Sequence, residues 1–205
     1  RNIDQGKGEK EKKDLYIEGV QNNGIINHYE YIINSEGTIE IRHVLKPEGK
    51  MPLWFPRIGL TLTVSDALDQ VKWYGRGPQE NYPDRKTGYP TGIYASTVQA
   101  MYEPYLMPQD YGLRTDVRWL QLTTDKGIGL QFKMNEWFNF NIYPYSTDNL
   151  TKAMYTYQLQ KQKGMTLNLD YATTGVGCTA RGVFGAYKAM PQEYRRTISI
   201  KPMMK

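Results

Sequence analysis

Carboxylates are the residues of this chain best suited to carry chemistry. Two pairs lie close in sequence, Glu80 with Asp84 and Asp110 with Asp116. Two carboxyls held across a glycosidic bond can cleave it, one as general acid and the other as nucleophile or base. Nearness along the chain does not put two carboxyls across a bond, so neither pair is assigned a catalytic role from spacing. A His–Glu couple could interconvert sugar anomers by acid–base catalysis. Only His28 and His43 are available for it. The first falls in a turn–strand region and the second in an alternating strand, where packing or surface roles are ordinary. Two histidines and the single Cys178 do not make a zinc site of the usual Cys/His kind. Gly75-Arg76-Gly77 runs into Pro78 and opens no phosphate-binding helix, and there is no serine nucleophile elbow.

The elements that must position these groups read as strands. Thr38 to Val44 alternates polar and apolar, with Pro47-Glu48-Gly49 expected to close it. Arg57 to Val64 puts Ile58, Leu60, Leu62 and Val64 on one face. Ile25 to Ile33, Val71 to Tyr74, Thr166 to Leu169 and Arg196 to Ile200 add further strands, and Trp137 to Tyr143 carries Phe138, Phe140 and Ile142 on one side. Arg118 to Thr123 and Gly129 to Lys133 form a pair around Asp125-Lys126-Gly127, while Asn22-Asn23-Gly24 and Asn34 to Gly37 are turns. One short helix is expected at Asp148 to Tyr155, with Asp148 as its N-cap. Many short strands and little helix define an all-β sandwich or barrel. Residues 1–13 are polar and charged and read as a linker or frayed terminal segment, and residues 14–205 as a single β-sandwich domain.

Composition narrows the function classes. The net charge of +5 is spread along the chain, and its densest cluster, Lys7 to Lys13, is interleaved with Glu9 and Glu11, so no sustained basic face for nucleic acid is present. No segment has the ~18 consecutive apolar residues of a membrane-spanning helix. One cysteine excludes an intrachain disulfide. The 17 tyrosines and 4 tryptophans suit pleated strands, and they also suit sugar contact, because a sugar's C–H face packs on a ring.

The most informative stretch is Gly75 to Arg85, GRGPQENYPDR, too rich in Gly, Pro and charge for strand interior. Pro78, Glu80, Asn81, Tyr82, Asp84 and Arg85 read as an architectural loop, in which Glu80, Asp84 and Arg85 could form an internal ion-pair network. Pro56 to Arg85, Met101 to Arg114 and Phe138 to Ser146 together resemble, in order and spacing, the C-terminal small-chain domain of the large bacterial β-galactosidases. The resemblance runs from about Asp14 to Ile200.

It implies a large antiparallel β-supersandwich, similar to that of galactose mutarotases. It also implies a multidomain parent that hydrolyses β-galactosides with retention. The two catalytic glutamates of that family stand in a separate (β/α)₈ barrel near a Mg²⁺ and a Na⁺. Such a barrel takes about 250 residues, and none of its βαβ pattern is present here. On this reading the domain has no catalytic residue and no metal or cofactor of its own. Its partners are the barrel and other domains of the same polypeptide, together with a β-galactoside or related oligosaccharide. In the family a tryptophan, in a loop after a Gly-x-Gly turn, stacks on the sugar. The corresponding turn here is Gly175-Val176-Gly177. The family continues with Gly-Asp-Asp-Ser-Trp where this chain has Cys178 to Gly182, so Gly182 falls at the tryptophan position. Arg181, Phe184 and Tyr187 are the candidate substitutes for sugar contact. Two other readings compete: an autonomous carbohydrate-binding module and a mutarotase-like epimerase.

Overall fold

The computed structural model describes the backbone of residues 12–16, 23–178 and 182–204. Among the described residues, ten strands follow one another: β1 (Lys12–Tyr16), β2 (Asn23–Ile33), β3 (Ile39–Gly49), β4 (Arg57–Val64), β5 (Gln70–Arg76), β6 (Thr91–Thr97), β7 (Arg114–Thr123), β8 (Gly129–Tyr143), β9 (Met165–Thr173) and β10 (Tyr194–Met203). Every pairing is antiparallel. The ladder runs β1-β2-β3-β10-β8-β7-β5-β6, and β9 joins β8 to β4. This is the all-β antiparallel architecture expected.

Strand β8 explains how the ladder branches. Its first half, Gly129 to Met134, pairs with β10, and its second half, Asn139 to Tyr143, pairs with β9. Sequence reading breaks the chain at Met134–Glu136 into two strands, but it is one strand that changes partners there. Ile41 of β3, Ile58 of β4, Trp73 of β5, Leu120 of β7, Phe138 of β8, Leu167 of β9 and Ile198 of β10 all belong to one buried cluster. Alternation on each strand supplies that inner face. Pro47 does not close β3, because pairing with β2 continues to Asn23↔Gly49. Strand β1 begins at Lys12, two residues before the Asp14 boundary, while residues 1–11 and Asn22 lie outside the described residues.

The helix forms as α1 at Thr147–Lys152, but Ser146 caps it, not Asp148. Ser146 has the extended backbone a cap requires, and its hydroxyl accepts from Asn149 N at 3.0 Å. Asp148 sits in the first turn and pairs with Lys152 at 2.8 Å.

His43 is buried between sheet neighbours. Its ring stacks on Tyr29 at 4.1 Å, Nδ1 lies 2.7 Å from Tyr171 Oη and Nε2 3.0 Å from Asn27 Oδ1. Burial pushes its pKa down to about 4 from 6.5. The unfolded chain therefore takes up a proton that the folded one refuses, and stability falls as pH drops from 6.5 toward 4. Imidazole NMR titration is expected to give a midpoint near 4, and a midpoint at the ordinary 6.5 would contradict this burial.

Candidate functional site

Residues 77–90, between β5 and β6, hold the GPQENYPDR stretch, in which Glu80, Asn81, Tyr82, Asp84 and Arg85 each have a defined partner. Glu80 accepts Gly112 N at 2.8 Å and Tyr82 Oη at 3.0 Å, and also accepts the Tyr105 hydroxyl. Asn81 is fully buried. Its Oδ1 accepts Thr115 N at 3.0 Å and Thr115 Oγ1 at 2.6 Å, and its Nδ2 donates to Gln79 O at 3.0 Å. Arg114 reaches in from β7 and donates to Pro78 O at 3.0 Å and Gly112 O at 2.8 Å. Burial lowers the Arg114 pKa to about 10, against the pull of Glu103 and Glu80. Burial, then Glu80, pushes the Tyr82 and Tyr105 phenols up, so both stay protonated donors.

Glu80, Asp84 and Arg85 do not pair with one another among the described residues. The stretch is pinned through backbone amides and hydroxyls instead. Asp84 turns toward the 175–187 segment, where Oδ1 accepts Val176 N at 3.1 Å and Oδ2 accepts Gly177 N at 2.6 Å. Gly175 makes room for this carboxylate, since a Cβ there would lie 2.4 Å from Asp84 Cγ. Gly177 has φ +66, a conformation that favours glycine. Arg85 adds one bond, Nη2 to Gly177 O at 3.3 Å. Arg85→Ala is therefore expected to cost under about 0.5 kcal/mol. Asn81→Ala, which strands the buried Thr115 N–H, is expected to cost about 1–3 kcal/mol. Urea melts of the two variants test the ordering.

The two loops flank an open cleft of ≈ 830 Å³. Tyr82 and Arg85 line it from the first loop, and Val176 and Val183 from the second. Trp54, Arg57 and Asp110 complete its chemistry. Beneath it lies a polar network: Arg57 donates to Asp170 Oδ2 at 2.7 Å, to Asn141 Oδ1 at 3.2 Å and to Asp110 Oδ1 at 3.3 Å. Asn141 Nδ2 and Tyr143 Oη also donate to Asp110, at 2.9 and 3.1 Å. Burial raises the Asp170 pKa to about 6, against the pull of Arg57, so the pair is ionised at neutral pH. Burial opposes the charge of Arg57, but Asp170 and Asp110 outweigh it and hold its pKa above the ordinary value.

The sequence-predicted residues divide. Phe184 and Tyr187 are 68% and 40% exposed and do not line the cleft, although Val176 and Val183 of the same segment do. Arg181 lies outside the described residues. Asp110 and Asp116 are held apart in function, because Asp116 pairs with Arg76 and Lys86, both at 2.6 Å. Trp54 and Arg57 were missed. Trp54, 38% exposed, stands in a loop between Pro52 and Pro56, and an indole between two prolines was the available signal. Arg57 heads an alternating strand, where nothing in the pattern distinguishes it from a surface cation.

An antiparallel sandwich with an open cleft at two loops defines the class as an all-β domain, and comparison places it further. Residues 3–200 match the family model described as the β-galactosidase small chain, and the chain belongs to that family. It is 38% identical over 147 residues to a β-galactosidase of Priestia megaterium and 39% identical over 122 residues to one of Vibrio cholerae. These matches cover 72% and 60% of this chain but only 14% and 11% of those proteins. Among solved structures, a GalM/aldose epimerase homologue from C. elegans is 12% identical with a TM-score of 0.43, covering 93% of this chain and 68% of that one.

Proposed function

We propose that this chain is the non-catalytic small-chain domain of a β-galactosidase-type retaining glycoside hydrolase. It turns a carbohydrate-facing cleft and an interdomain surface toward the barrel and other domains of its parent. The observation that carries this reading is the cleft lined by Tyr82 and Arg85 on one side and by Val176 and Val183 on the other. Trp54 offers a flat apolar face for a sugar ring, while Arg57 and Asp110 supply a donor and an acceptor for its hydroxyls. Retaining hydrolysis requires two carboxyls facing one bond. Asp110 is the single acid lining this cleft among the described residues, and it is engaged by Arg57, Asn141 and Tyr143. Glu80 is committed to Tyr82, Tyr105 and Gly112. Any Mg²⁺ or Na⁺ of the parent is assigned to its barrel, and no group of three or more His, Cys, Asp or Glu among the described residues could hold a metal ion.

The purified chain is expected to give no turnover of a chromogenic aryl β-galactoside. Turnover that survives repurification and disappears in Glu80→Gln or Asp110→Asn would overturn the proposal.

A further inference from the structure

Consecutive residues face different hollows. Asp110 lines the cleft, and Tyr111 lines a second pocket of ≈ 520 Å³. Tyr111 is buried, yet its hydroxyl has no hydrogen-bond partner among the described residues. Buried phenols normally find one. Burial, then the phenols of Tyr145 and Tyr102, push its pKa up, so the hydroxyl stays protonated and able to donate.

Half-buried Tyr102 and Tyr145 line the same pocket, with Tyr102 set edge-on to Tyr111 at 5.3 Å. Two tyrosine rings offer apolar faces beside hydroxyls. The remaining polar lining is of mixed sign: Asp66 and Asp69 against Lys161. Gln162, oriented by donating to Thr166 Oγ1 at 2.9 Å, leaves its amide oxygen for a donor. A strongly anionic ligand meets two carboxylates here and a strongly cationic one meets an ammonium. A neutral ligand with both C–H faces and many hydroxyls satisfies the whole lining, and the volume lies in the range of small-molecule pockets.

We propose that this pocket is a second binding site, separate from the cleft, for a neutral saccharide of one or two rings. The sugar packs on Tyr102 and Tyr145, and one of its hydroxyls gives the buried Tyr111 phenol the partner it lacks. The site shares the Asp110–Tyr111 step with the cleft but does not depend on the cleft reading.

The test is a lactose titration of the 205-residue chain, followed by backbone-amide NMR. Saturable shifts are expected at Tyr102, Tyr111 and Gln162, and they should persist in Trp54→Ala, which alters only the cleft. Tyr145→Ala should abolish them. Tyr111→Phe should weaken binding about threefold to tenfold, without lowering Tm, because it removes only an unpartnered hydroxyl. No saturable shift at these residues, or an affinity unchanged by Tyr145→Ala, overturns the proposal. Shifts confined to the cleft would overturn this site and leave the cleft standing. Shifts confined to this pocket would support it and count against the cleft.

Discussion

Arg57→Ala is expected to lower the unfolding free energy by about 3–5 kcal/mol. The cause is what remains behind. Asp170 has a side chain only 2% exposed, and Arg57 is the cation that faces it at 2.7 Å. Without the guanidinium, the carboxylate keeps, among the described residues, the longer Thr173 hydroxyl contact at 3.4 Å. A buried charge stripped of its partner costs far more than the pair contributed. Asp110 and Asn141 also lose a donor, but Asp110 retains Asn141 and Tyr143, so its loss is secondary. The double variant Arg57→Ala/Asp170→Asn separates these effects, since removing the orphaned charge should recover part of the loss. A double variant no more stable than Arg57→Ala alone would place the cost in lost packing of the arginine stem.

The same pair has a pH signature. The folded pKa of Asp170 stands at about 6, above its ordinary 3.8. The folded chain therefore holds a proton that the unfolded chain has released, and the stability this group contributes is lost as pH rises from 3.8 to about 6. His43 contributes the opposite slope over an overlapping window. Comparing Asp170→Asn with the parent chain isolates the first term. The variant should show a steeper gain in stability with rising pH across that range.

Most strands were legible because alternation reports one-sided burial. In β4, Ile58 and Val64 are buried and Leu60 and Leu62 partly so, as the pattern RIGLTLTV states. Strand β6 was missed. It is TGIYAST, at the sheet edge beside β5; of its inward positions Gly92, Tyr94 and Ser96, Tyr94 alone is a large apolar side chain, while the apolar Ile93 points outward and is exposed, so the sequence shows no apolar stripe. The continuity of β8 was hidden by a different cause. Asn135 and Glu136 interrupt the alternation where the strand passes from β10 to β9, and period alone cannot tell a change of partner from a turn. The GPQENYPDR stretch was recognisable as special by composition, but its partners were not. Glu80, Asp84 and Arg85 sit within six positions of one another and suggest ion pairs. The fold instead brings up Gly112, Thr115 and Gly177 from remote positions. The cleft was half legible. Tyr82 and Arg85 lay in the marked loop, whereas Trp54 and Arg57 reach the same hollow only because Phe55 pairs with Ala189 and β4 pairs with β9.

That pairing makes Trp54 the position where the proposed sugar contact can be tested most sharply. The resemblance sets Gly182 at the position of the family tryptophan, and the aromatics that follow it, Phe184 and Tyr187, do not line the cleft. Trp54 does line it, with one face approached by Lys188 Nζ at 5.7 Å from the ring centroid. Its exposure means that truncation removes a contact surface without opening the core. In the full-length parent, Trp54→Ala is expected to reduce kcat/KM about five- to thirtyfold, the equivalent of about 1–2 kcal/mol of lost ring stacking. Tm should not fall, and Trp54→Tyr should retain most of the activity. Arg181→Ala, Phe184→Ala and Tyr187→Ala form the comparison set. A loop residue that meets substrate raises KM or lowers kcat/KM at unchanged Tm, whereas one that only supports the loop lowers both together. If Trp54→Ala keeps wild-type kinetics while Phe184→Ala or Tyr187→Ala loses activity at unchanged Tm, the platform lies in the 184–187 segment. The cleft would then have to close over that segment when the parent binds its sugar.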